Sequence, residues 1–294
     1  MRNRHITTIA GVAGLLLLTT LAAGQNNQRQ NAQNNAPHSP WKYYPSDRSV
    51  GDGGPAPKRD LTGTWAGPSS GAAVPRSKVN PKNPPAPPMT PLGQQLFARN
   101  KPLDKFSPAG TNDPHVRYCD PYGFPQNMTN EIRGITFATM PDRMVILLQY
   151  MNVWREVWTD GRTLPTNVGG RGPNTLDPKY NGYSIGRWED DYTFVVETTG
   201  LAPNTWATDS GYPHSVDAHV TERYHRDSKN DLTLTITMDD PKLYTQPFLI
   251  GDVHFRWIPN QMLDEFTCIP SEVQTYLKEM GDPAGSDPAA TRSR

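Results

Sequence analysis

The stretch Trp206 to Arg226 gathers the side chains best suited to chemistry: two imidazoles, His214 and His219, with carboxylates at Asp217 and Glu222. Histidine titrates near neutral pH, so either ring can carry a proton while a neighbouring carboxylate fixes its tautomer. Three readings are open at this stage. One is structural, with His214 in a turn and Glu222 paired with an arginine such as Arg187 or Arg223. A second is general acid/base catalysis by a hydrolase, lyase or isomerase, using His214 or His219 with Asp217 or Glu222. The third is a metal held by His214, Asp217 and His219, which lacks a familiar spacing such as His-Glu-x-x-His. The sequence has no nucleophile elbow, no phosphate-binding glycine loop, no dinucleotide fingerprint and no Cys-x-x-Cys, which argues against nucleotide-driven and nicotinamide chemistry and leaves the cofactor unknown.

The element that must carry these groups is a strand. Alternate residues of a strand point the same way, which puts Asp217, His219, Thr221 and Arg223 on one face and Val220, Glu222 and Tyr224 on the other. Neither face is cleanly apolar, so one set is expected to line a wet cavity or an internal hydrogen-bond network. The next segment, Leu232 to Met238, alternates aliphatic residues with threonine without a fault and reads as a strand with one wet face. Further strands are expected at Met144 to Leu148, Val153 to Trp158, Tyr183 to Trp188, Tyr192 to Thr198, Asp252 to Ile258 and Met262 to Cys268. Turn signals such as Asp160-Gly161 and Glu189-Asp190-Asp191 separate them. Short connections imply antiparallel neighbours. The expected fold is mainly β, an antiparallel meander that closes into a lipocalin-like barrel or stacks as a two-layer sandwich. Short helices at Pro91 to Asn100 and Ser271 to Met280 lie at its periphery.

Aromatic residues supply a second candidate site. Tyr150, Trp154, Trp158, Trp188 and Trp206, together with Arg223, fall on or beside strands and are candidate ligand contacts. Trp154 and Trp158 share a strand face with Glu156 between them and could stack a sugar or an apolar ring; the competing assignment is that these rings fill the core. Asp160, Arg155 and Arg162 read as a surface or turn ion pair.

The N-terminus has the form of an export signal. Arg2 and Arg4 precede the apolar run Ile9 to Leu18, and small residues follow at Ala22, Ala23 and Gly24. The expected organisation is a signal peptide over 1–24, a Gln/Asn- and Pro/Gly-rich tether over 25–58, one β domain over 59–281 and a tail over 282–294. In a periplasmic or extracellular chain the two cysteines, Cys119 and Cys268, are expected to form a disulfide that fastens the final strand to the start of the domain. Acidic and basic residues number 29 each. That balance argues against nucleic acid or an anionic membrane as partner, and no segment after the signal is apolar enough to span a bilayer. A small-molecule ligand and an envelope-complex partner remain as candidates, the latter suiting the long tether of an accessory subunit.

Two resemblances bear on this. Gly63-Thr64-Trp65 is similar to the Gly-x-Trp opening strand of lipocalin-like barrels. Trp154 to Arg162, Gly186 to Asp191, Pro213-His214-Ser215 with His219 to Arg223, and Asp239 to Lys242 together resemble a widespread group of exported bacterial proteins of uncharacterised activity. In that group an acidic residue directly follows the His-Ser pair; here Val216 stands there and Asp217 comes next. The resemblance implies one secreted β domain and carries no reaction with it.

Overall fold

The structure is a computed structural model that describes residues 53–67, 87–103, 105–129, 134–259 and 262–285. The expected signal peptide, residues 25–52 of the tether and residues 286–294 of the tail lie outside the described residues. All described residues belong to one compact unit, Ser46–Arg294.

Nine strands close into a barrel in sequence order: β1 (Gly63–Ala66), β2 (Gly134–Thr139), β3 (Arg143–Leu148), β4 (Val153–Trp158), β5 (Tyr183–Trp188), β6 (Thr193–Thr199), β7 (His219–Arg226), β8 (Asp231–Asp239) and β9 (Phe248–Trp257), with β9 returning to β1. Strand periodicity made β3 to β9 legible, the Gly-x-Trp resemblance pointed to β1, and β2 was not among the expected strands. In β8 the side chains of Leu232, Leu234, Ile236 and Met238 are all fully buried, and the threonines between them take the outer face. The barrel interior is a packed core in which Trp65, Phe137, Ile146, Val157, Phe194, Val196, Val220, Tyr224, Val253 and Phe255 meet. It is filled by side chains and is no open chalice.

The Gly-x-Trp strand closes one end of this core. Trp65 is wholly buried, and its ring N–H donates to the Leu61 carbonyl at 3.0 Å. The Arg226 guanidinium lies 4.8 Å from the Trp65 ring centroid and donates to the carbonyls of Asp60 and Lys229, capping the ring with charge whose hydrogen bonds are met by backbone. Residues 53–58, at the end of the expected tether, lie against the barrel: Gly54 accepts from the Lys229 N–H at 3.1 Å, and Lys58 pairs with Asp191.

One junction departs from the expected meander. β4 and β5 run parallel and are registered at only two positions, Val157 with Ser184 and Trp158 with Ile185; every other junction is antiparallel. Closure demands this exception. Following strand direction around a ring, the number of antiparallel junctions must be even, so nine strands cannot close on antiparallel pairs alone. The parallel step needs a long crossover. Residues 159–182 provide it, a proline- and glycine-rich link over the outside of the barrel.

The helices are short: α1 (Pro91–Phe97), α2 (Pro114–Tyr118) and α3 (Pro270–Tyr276). Each begins with proline at its first position, where the missing N–H costs nothing. Thr90 and Asp113 cap α1 and α2 through their side chains. No helix among the described residues is long and apolar enough to cross a membrane.

Cys119 and Cys268 are bonded, with Cα atoms 5.5 Å apart, but the geometry of the link differs from expectation. Met262 to Cys268 forms no strand. It is coil, joined to Tyr150 by an isolated bridge at Phe266 and lying against β2 where the Leu263 side chain approaches Gly134. The disulfide therefore joins the left-handed residue that ends α2 to the coil before α3, and α3 then packs beside α2.

Candidate functional site

The four polar candidates on and before β7 do not converge. His219 takes the outer face of β7, and among the described residues its side chain has no hydrogen bond or ion pair. Asp217 is exposed and pairs with Lys242. His214 is buried. Its Nε2 lies 2.8 Å from Thr205 Oγ1, whose hydroxyl is within reach of the Ala202 carbonyl, and its Nδ1 lies 3.3 Å from the Ser215 carbonyl, so both ring nitrogens have partners inside the fold. Burial depresses the His214 pKa, against smaller opposing effects of the Ser215 carbonyl and the Asp240 charge, and keeps the ring neutral. Ser215 donates both its N–H and its hydroxyl to the fully buried Asp240, at 2.7 and 3.0 Å, while the Tyr244 hydroxyl donates to the Pro213 carbonyl at 2.7 Å. The Pro213-His214-Ser215 string is thus a fastening between a loop and the end of β8. Its serine proton is directed at a carboxylate and has no imidazole to accept it.

Glu222 points the other way, into the barrel. It is fully buried and accepts from Arg155 Nη1 at 2.9 Å and Nη2 at 2.8 Å, a bidentate pair, and from the Tyr224 hydroxyl at 2.6 Å. Arg155 Nη2 also donates to Ser184 Oγ and Thr198 Oγ1, at 3.3 and 3.4 Å, and its guanidinium lies 3.8 Å from the Phe124 ring centroid. This corrects two sequence expectations. Arg155 makes no surface ion pair with Asp160, and the partner of Glu222 is neither Arg187 nor Arg223. Those arginines pair on the exterior with Glu197 and Glu189. Burial alone would lower the Arg155 pKa, but the charge and hydrogen bonds of Glu222 outweigh it and hold the guanidinium charged. Burial, with the Glu222 charge behind it, pushes the Tyr224 phenol well above its usual value and keeps it a donor. The signal was present in β4: strict alternation groups Arg155 with Val153 and Val157, on the face opposite Trp154, Glu156 and Trp158.

A cavity opens where β4 and β5 part. Its volume is about 940 Å³. β4 contributes Trp154, Glu156 and Trp158, β5 begins its other wall with Tyr183 and Ser184, and the crossover link supplies Arg162, Leu164, Lys179 and Tyr180. The cause is topological. Two strands held by a two-residue register diverge on either side of it, and the link spans the gap without filling it. Arg155 and Ser184 belong both to the cavity wall and to the interior network, although the Arg155 and Glu222 side chains are themselves enclosed.

The walls are aromatic and cationic. Trp158 lies between two guanidiniums, Arg143 at 3.7 Å and Arg162 at 3.4 Å from its ring centroid. Two such groups cannot share one face at those distances, so both faces of Trp158 are taken. Arg162 is fixed in turn by Asp160, whose pKa it draws down to about 2 through side-chain hydrogen bonds, and this pair is as the sequence suggested. Arg143 is held by Asp142 and Glu156. Trp154, by contrast, is 64% exposed and presents an uncovered ring.

The other aromatic candidates lie elsewhere. Tyr150 bonds His115 Nε2 through its hydroxyl at 2.8 Å and stacks with Tyr122 and Phe266, in the layer beside the disulfide. Trp188 packs on Phe194, and Arg223 pairs with Glu189 on the exterior. Trp206 is buried beside a crevice it shares with Asp113, His115 and Thr205. That crevice holds about 10 Å³, room for one water at most. His115 and Asp113 went unremarked in the sequence because they sit in a helix cap, where Asp113 accepts from the His115 N–H. Among the described residues no three histidine, cysteine or carboxylate side chains are grouped to hold a metal ion.

Comparison with known proteins adds no function: no protein-family model matches the chain, and neither does any curated protein. The class the structure defines is a closed nine-stranded β-barrel with a packed interior and a lateral cavity.

Proposed function

We propose that this protein is an exported β-barrel module that binds a small ring-bearing molecule in the cavity between β4 and β5. The observation that carries the reading is that cavity. Its volume falls in the range of small-molecule sites, it offers an uncovered Trp154 ring, and its far wall, Trp158, is held rigid by guanidiniums on both faces. A preformed wall loses little entropy on binding, and aromatic platforms suit a flat ligand. The core-filled barrel interior directs the ligand to the flank. Export is supported by the basic and apolar N-terminal run in the sequence and by the disulfide, which suits an oxidising compartment. The catalytic reading loses support because His214 is enclosed with its own partners, His219 faces outward, and Glu222 is committed to Arg155.

Tryptophan fluorescence titrated with a panel of phenols, naphthalenes and monosaccharides tests this. At least one ring compound should quench wild type at micromolar to low millimolar concentration. Trp154→Ala should weaken that response about tenfold, on the scale of one lost aromatic platform, without changing Tm. Identical titrations of the two proteins would place any binding elsewhere.

A further inference from the structure

The charges lining the cavity are not equally satisfied. Arg155 is answered by Glu222, Glu156 by Arg143 and Arg162 by Asp160. Lys179 is the exception: its ammonium lies 4.5 Å from the Tyr183 ring centroid and has no carboxylate partner among the described residues. Backbone bonds hold the residue in place, since its N–H donates to the Gly200 carbonyl at 3.0 Å and its carbonyl accepts from Ala202 at 2.9 Å. The cavity therefore combines an open indole with one uncompensated, positioned cation.

We propose that the ligand of this cavity is a ring-bearing monoanion, its ring against Trp154 and its anionic group on the Lys179 ammonium; the inference rests on the binding reading above. Trp158 cannot serve as the platform, because Arg143 and Arg162 occupy both its faces. A cationic ligand would meet Lys179 and Arg162 with no free carboxylate to offset them, since Glu156 is already paired with Arg143. A neutral ligand would stack and gain nothing from the lysine. The anion is favoured by charge, and the preference is screened by salt because Lys179 is exposed.

Three probes matched in ring and differing in charge test the proposal: 2-naphthoate, 2-naphthamide and 2-naphthylmethylammonium, each titrated against the full chain at low ionic strength and followed by tryptophan quenching. The carboxylate should bind about fivefold tighter than the amide, the upper end for an exposed ion pair, and the ammonium weakest of the three. The preference should shrink at high salt, vanish in Lys179→Gln and survive in Lys179→Arg. Equal affinities for carboxylate and amide, tighter binding of the ammonium, or a preference that persists in Lys179→Gln would each overturn the anion assignment and leave a neutral or cationic ring as ligand. Should none of the three bind while another ring compound of the earlier panel does, the anion assignment falls alone; should no ring compound bind at all, the cavity reading falls with it.

Discussion

Replacing Arg155 with methionine leaves Glu222 inside the barrel with one of its three donors. The two guanidinium contacts at 2.8 and 2.9 Å disappear and only the Tyr224 hydroxyl at 2.6 Å remains. Ser184 and Thr198 lose a donor but keep each other at 2.8 Å, so the cost is concentrated on the carboxylate. Removing one partner of a buried pair costs about 3–5 kcal/mol, and for a domain of this size that is on the order of 10 °C in Tm. Glu222→Leu should cost a similar amount by stranding the guanidinium. The double variant Arg155→Met/Glu222→Leu removes both charges together with their desolvation. It should lie within about 1–3 kcal/mol of wild type, the remainder reflecting a Tyr224 hydroxyl without an acceptor. Urea unfolding followed by circular dichroism gives all four corners of the cycle, and the coupling should be several kcal/mol. A cost below about 1 kcal/mol for either single variant, or a double variant equal to the sum of the singles, would refute the account of a closed, mutually dependent interior pair.

Three further outcomes follow from the same geometry. The disulfide closes a loop of 149 residues, so Cys119→Ala/Cys268→Ala should lose up to about 5 kcal/mol by the chain-entropy argument, measurable by urea unfolding with and without reductant. Because burial lowers the folded-state pKa of His214 below its usual 6.5, the unfolded chain binds the proton first as pH falls. The stability from keeping that ring neutral is thus complete above pH 6.5 and lost below it; unfolding midpoints at pH 7.5 and 5.5 should diverge in wild type and draw together in His214→Gln. Gly182 turns the crossover into β5 with φ of +62°, and a Cβ there would stand 2.6 Å from the Thr199 carbonyl oxygen. Gly182→Ala should therefore cost about 2 kcal/mol in thermal unfolding, and an unchanged Tm would show that the turn relaxes freely.

Local pattern carried most of the barrel. Val153–Trp158, Tyr183–Trp188 and His219–Arg226 occupy the spans that period-two alternation marks, and Leu232 to Met238 buries the face its aliphatic residues define. Alternation works here because each strand meets a packed interior on one side and water on the other, so a single strand already records which side is which. It also placed Trp154, Glu156 and Trp158 together. Read as strictly in β4, it would have turned Arg155 inward; judging the residue by its charge alone put it on the surface.

Met262 to Cys268 shows the limit of pattern. The segment has the composition of a strand, but the ring is already closed between β9 and β1, so no sheet edge is left for it to join. Residue order likewise fixes neither the number of strands around the ring nor the parity that forces one parallel junction. The cavity is a product of that junction, because two strands registered over two residues must diverge beyond them. Which carboxylate meets Arg155, and which lysine is left without one, depend on positions brought together across the barrel. The sequence determined the strands and their inward faces through short-range alternation, whereas ring closure, acting over the whole chain, decided the partners and the site.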